Sequence, residues 1–71
     1  MKKSRLAALL RQIRLDANLT QSQLAEAIGQ TQSYVSKYEA GEQRLDLLEL
    51  EAVCDAVGIK LTVFVGRYLE T

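Results

Sequence analysis

Seventy-one residues, 48% of them apolar and none of them proline, support one small domain and suit a compact helical bundle rather than long disordered segments. A single cysteine and no histidine exclude an internal disulfide and the usual zinc ligand sets. Formal net charge is zero, yet residues 1–37 carry six basic and two acidic side chains while residues 38–71 carry three and seven, so one end can face phosphates while the other is kept away.

The opening stretch, MKKSRLAALLR, has the lysines of a secretion signal, but its apolar run ends at Arg11 after five residues, too short for the hydrophobic part of one. No run approaches the roughly 18 apolar residues of a membrane span, so a cytoplasmic location is expected. Leu6, Leu9, Leu10 and Ile13 instead recur at i, i+3, i+4 and i+7, which predicts a helix from Ser4 to Ala17 with Asn18 as a left-handed terminator. Arg14, four residues beyond Leu10, borders that apolar stripe.

The next stretch, TQSQLAEAIGQTQSYVSKYEAG over residues 20–41, reads as two short helices hinged at a glycine. Thr20 and Gln23 make a capping box, and Leu19 and Leu24 stand at the positions of a hydrophobic staple. Leu24, Ala25 and Ile28 fall on one face, and Gly29 sits where a helix ends in a left-handed residue. Thr31 caps a second helix from Gln32 to Ala40, closed by Gly41. Two short helices joined by a tight turn containing glycine are the helix-turn-helix pattern, whose second helix can enter the major groove of DNA.

After a loop at Glu42–Leu45, a fourth helix has a complete start signal: Asp46 as cap, Glu49 three residues on, and Leu45 with Leu50 as the staple. Leu47, Leu50, Val53, Cys54 and Val57 are its expected buried face, Gly58 its stop, and Cys54 a small core residue rather than a reactive thiol. The final segment, 59–71, has two readings. Leu61, Phe64, Val65, Tyr68 and Leu69 have helical spacing, whereas Thr62-Val63-Phe64-Val65 favours a strand and Gly66 weakens both. A fifth helix is preferred, with two uses open to its apolar face: a lid on the core, or a contact with its two-fold mate.

The residues Leu19-Thr20-Gln21, Gln23-Leu24-Ala25, Ile28-Gly29, Thr31-Gln32-Ser33, Val35-Ser36 and Tyr38-Glu39-Ala40-Gly41, followed by Leu47–Gly58, resemble the phage-repressor and Cro type of helix-turn-helix domain over about residues 5–59. The resemblance implies an all-α, four- or five-helix bundle of the lambda-repressor-like DNA-binding type, occupying residues 1–71 as one domain. It further implies a semi-buried ion pair between Arg14 and Glu39 tying helix 1 to the recognition helix, a phosphate contact at Gln21, and pairing of two copies through C-terminal elements. Arg44 is similar in position to basic family residues that flank the DNA backbone, though Glu42-Gln43-Arg44 is less basic than in many members.

If Gln32–Ala40 is the recognition helix, Val35 faces the core and Gln32, Ser33, Ser36 and Lys37 lie outward. Glutamine can pair bidentately with adenine, lysine can donate to guanine, and serine hydroxyls serve either base. Gln21, Tyr34 and Arg44 are the expected phosphate contacts, with Lys2, Lys3 and Arg5 as an N-terminal arm. Tyr34 has a thymine methyl as its other candidate partner. The expected function is therefore a sequence-specific, dimeric DNA-binding transcriptional regulator. The alternative is an antitoxin whose DNA-binding half autoregulates while an acidic or C-terminal surface neutralises a toxin protein. With no histidine, no phosphate loop and no recognisable paired carboxylates, neither an enzyme nor a cofactor is expected.

Overall fold

One local device ends four helices in succession. At Asn18, Gly29, Gly41 and Gly58 the backbone turns left-handed, with φ of 58°, 70°, 77° and 78°. The residue after each donates its N–H five residues back, Leu19 to Arg14, Gln30 to Ala25, Glu42 to Lys37 and Ile59 to Cys54, at 2.8–3.3 Å. This is the Schellman closure, which satisfies helix carbonyls that would otherwise lack partners. The structure, a computed structural model, describes residues 2–70 in backbone and residues 5–70 in side chains. Its helices are α1 Lys2–Asp16, α2 Gln21–Ala27, α3 Gln32–Glu39, α4 Leu47–Val57 and α5 Leu61–Glu70. The described residues contain no strand, so the ambiguous last segment is helical.

The starts are equally local. The Thr20 hydroxyl accepts the Gln23 N–H at 3.0 Å, and the Gln23 side chain returns to the Thr20 N–H at 2.9 Å. Asp46 and Glu49 repeat the reciprocal arrangement at 2.7 and 2.8 Å, and the Thr31 hydroxyl accepts the Tyr34 N–H at 3.1 Å. Such caps stabilise a helix start by about 1 kcal/mol each.

Every helix then contributes to one core. Leu9, Leu10 and Ile13 of α1 meet Leu24 and Ala25 of α2, Val35 and Tyr38 of α3, Val53 and Cys54 of α4, and Phe64 of α5. The motif helices α2 and α3 pack closely together; α1 lies against α3, α4 against α2 and α5, and α5 returns to α1. Phe64 gives the last helix a share in the core, since burying a phenylalanine stabilises by about 1.5–3 kcal/mol and this ring is 1% exposed.

One expectation about a buried face is corrected, on α4, and one left open is resolved, on α5. Leu47 is 67% exposed, because as the first residue of α4 it precedes the turn that packs, leaving Leu50, Val53, Cys54 and Val57 to meet the core. On α5 the inward seam is Leu61, Phe64 and Tyr68, while Leu69 is 72% exposed and Val65 also reaches solvent. No helix among the described residues is long and apolar enough to cross a membrane.

Candidate nucleic-acid interface

On α3 the spacing of Val35 and Tyr38, both fully buried, fixes which side looks out. Gln32, Ser33 and Lys37 are exposed; Ser36, expected alongside them, is half-buried at the edge of that face. Ordered polar side chains on a short helix need a support, and here one runs back through the molecule. Gln32 Nε2 donates to Gln21 Oε1 at 2.7 Å, and Gln21 Nε2 donates to Glu39 Oε1 at 3.1 Å. Glu39 in turn accepts from Arg14 in a fork, Nε to Oε2 at 2.7 Å and Nη2 to Oε1 at 3.0 Å. Arg14 Nη1 completes the relay on the Leu19 carbonyl at 2.8 Å.

The Arg14–Glu39 pair lies deep, with side chains 8% and 3% exposed. Two parallel charge-assisted bonds are stronger and more directional than neutral ones. The hydrogen bond to Glu39 raises the Arg14 pKa, outweighing the opposing effect of burial, so the guanidinium stays charged. It ties α1 to the far end of α3, while Gln21 links that pair to Gln32 at the near end. Held through one amide hydrogen, Gln32 retains an acceptor and a second donor, the set that matches an adenine edge.

Tyr34 departs from its expected place. It is half-buried, and its hydroxyl donates to Glu49 Oε2 at 2.9 Å. Its ring meets Tyr38 edge-on, with centroids 5.7 Å apart and planes at 82°. Desolvation first, then the bond to Glu49, pushes the Tyr34 phenol up to about 12. With its proton given to the Glu49 carboxylate, the Tyr34 hydroxyl is engaged inside the protein, whereas a phosphate contact would need that same donor.

Arg44 is exposed in the loop between α3 and α4. Of the expected arm, Lys2 and Lys3 have side chains outside the described residues, and the Arg5 guanidinium lies 4.8 Å from the centroid of the Tyr68 ring on α5. No group of three or more metal-binding side chains gathers among the described residues, and Cys54 is a buried thiol whose pKa is raised by desolvation. The relay through Gln21 and the bond from Tyr34 to Glu49 were not legible in the sequence. A capping glutamate uses one carboxylate oxygen on the helix start, and the spare oxygen was the only available hint.

A helix-turn-helix family model matches residues 10–64. The immunity repressor of Bacillus phage phi105 is 39% identical over 58 residues, which cover 82% of this chain and 40% of the repressor. The chain thus spans well under half of that relative. The clp gene regulator ClgR of C. glutamicum superimposes with a TM-score of 0.87 at 28% identity, covering 99% of this chain and 90% of ClgR. The restriction-modification controller protein C.Esp1396I, 23% identical, shares the fold at a TM-score of 0.89 over 99% of this chain and 92% of its own. Its tetramer has also been solved in complex with its natural 35 base-pair operator. With the matched model spanning α2, its glycine hinge, α3 and the helices that brace them, this chain belongs to the helix-turn-helix family.

Proposed function

We propose that this protein is a sequence-specific DNA-binding transcriptional regulator that places α3 in the major groove of a two-fold symmetric operator as a homodimer, in the cytoplasm. One observation carries the reading: the outward polar end of α3 is held by a continuous hydrogen-bonded relay, Gln32 to Gln21 to Glu39 to Arg14, that ends in a buried ion pair. Bracing of this kind lowers the entropy cost of holding the Gln32 amide in one orientation toward a base edge. Gln32, Ser33, Ser36 and Lys37 are the base-contacting residues, Ser36 from the edge of the face. Gln21 and Arg44 are the phosphate contacts. Two relatives are themselves a repressor and a gene regulator, which supports regulation as the role.

Dimerisation draws on leucines that the core leaves out. Leu47 and Leu48 at the start of α4 and Leu69 near the end of α5 are 67%, 75% and 72% exposed. Large apolar side chains left in water on adjoining helices favour a second copy as their cover. The antitoxin alternative finds no support in these relatives and is set aside.

Selection of bound duplexes from a random-sequence pool tests the proposal. The expected product is a palindrome whose half-sites lie about 34 Å apart, one helical turn. Failure of the protein to enrich any sequence, or to bind mixed duplexes at low salt, would refute it.

A further inference from the structure

The recognition helix is anchored at one end by the ion pair at Glu39; what holds its other end against α4 is less obvious. The backbones of α3 and α4 barely approach one another, and α3 rests on α2 and α1 instead. Across this gap one side chain does two jobs. Glu49 Oε1 accepts the Asp46 N–H at 2.8 Å and thereby closes the capping box that starts α4. Its second oxygen, Oε2, accepts the Tyr34 hydroxyl at 2.9 Å. Tyr34 is the third residue of α3, directly after Gln32 and Ser33, and its ring is steadied by the edge-on contact with the buried Tyr38.

We propose that Glu49 is a positioning residue for sequence recognition, fixing the N-terminal turn of α3 through Tyr34 while it caps α4. The inference rests on the regulator reading above. A carboxylate aimed at DNA would repel phosphates; one whose two oxygens are occupied by the Asp46 N–H and the Tyr34 hydroxyl acts as a strut. The strut sets the angle at which Gln32 and Ser33 meet base edges, and small misplacements there matter because hydrogen bonding to bases is directional. Loss of the strut therefore lowers discrimination between sequences and leaves general affinity for the duplex intact.

The test compares wild type, Tyr34→Phe, Glu49→Ala and the double variant on two probes, a duplex selected from a random pool and a scrambled duplex of the same composition. Tyr34→Phe removes only the hydroxyl and keeps both the ring and the α4 cap, so it remains informative if Glu49→Ala folds poorly. The expected result is a drop on the order of fivefold in the selected-to-scrambled affinity ratio for Tyr34→Phe, the scale of one hydrogen bond. Binding to the scrambled duplex stays as in wild type. Glu49→Ala should lower the ratio similarly, and the double variant should lose no more than Glu49→Ala alone, because both remove the same contact. An unchanged ratio in Tyr34→Phe overturns the proposal. So does an equal loss on both probes, which would make the hydroxyl a phosphate donor after all. Wild type that binds neither probe would instead defeat the regulator reading and this role with it, so the two failures are distinguishable.

Discussion

Replacing Glu39 by alanine is the sharpest stability test that the structure offers. The substitution strands the Arg14 guanidinium, 8% exposed, with the Leu19 carbonyl as its remaining acceptor among the bonds described above, and removes the acceptor that holds Gln21. Breaking a buried pair by deleting one partner costs about 3–5 kcal/mol, most of it the uncompensated charge left behind. A chain of 71 residues has a total stability of only about 4–10 kcal/mol. The variant should therefore lose about a third or more of its stability, and its midpoint should fall by more than about 10 °C. Urea unfolding measures the first and thermal unfolding the second, both followed by far-UV circular dichroism, provided the slope with denaturant matches wild type. The exposed pair between Arg67 and Asp16, 3.8 Å apart with side chains 40% and 54% exposed, supplies the contrast. Asp16→Ala should cost less than about 1 kcal/mol. A loss below about 1 kcal/mol for Glu39→Ala would show that water or another group replaces the carboxylate, and the pair would no longer explain how α1 holds α3.

Lys37→Ala should relax preference at one base pair of the selected operator, while Arg44→Ala should weaken binding to all duplexes and lower the salt slope by about 1; equal losses on selected and random DNA for Lys37→Ala would mean that α3 is misplaced as the reading element. The Tyr34 phenol has its pKa raised in the folded state from an ordinary value of 10.0 to about 12, so folding favours the neutral form. That contribution is complete below pH 10 and is lost as pH rises from about 10 to 12, where the unfolded chain ionises first; Tyr38, raised in the same direction, adds to the fall. Denaturation midpoints measured across this window should decline, and less steeply in Tyr34→Phe; identical declines in both proteins would count against the shift at Tyr34. Gly58→Ala places a side chain at φ +78° with no steric clash within 4 Å, so it should destabilise through backbone strain alone, by about 1 kcal/mol in thermal unfolding, whereas an unchanged midpoint would mean that the left-handed closure of α4 relaxes freely.

Much of the architecture is written in short-range chemistry. The caps at Thr20, Thr31 and Asp46 and the left-handed turns at Asn18, Gly29, Gly41 and Gly58 each involve residues within five positions of one another. Local side-chain and backbone bonding therefore determines where helices start and stop before any tertiary contact forms. The 3.6-residue rhythm likewise marks Leu9, Leu10, Ile13, Leu24 and Val35 as core, and the polar outer face of α3 follows by subtraction.

Sequence by itself was less able to say which end residues of a helix are covered: Leu47 read as buried when it lies in water, and the apolar face of α5 did not tell that Leu69 stays outside the core. Periodicity identifies a face but not how far along the helix a neighbour extends. It was equally silent on side-chain bonds between distant positions. Tyr34 meets Glu49 across 15 residues and Gln32 meets Gln21 across 11, and both pairs exist only because α2, α3 and α4 are folded against a common core. Which polar group spends its hydrogen bond inside the protein, and which keeps it for a partner, was decided by tertiary structure, since that choice depends on distances no linear pattern contains.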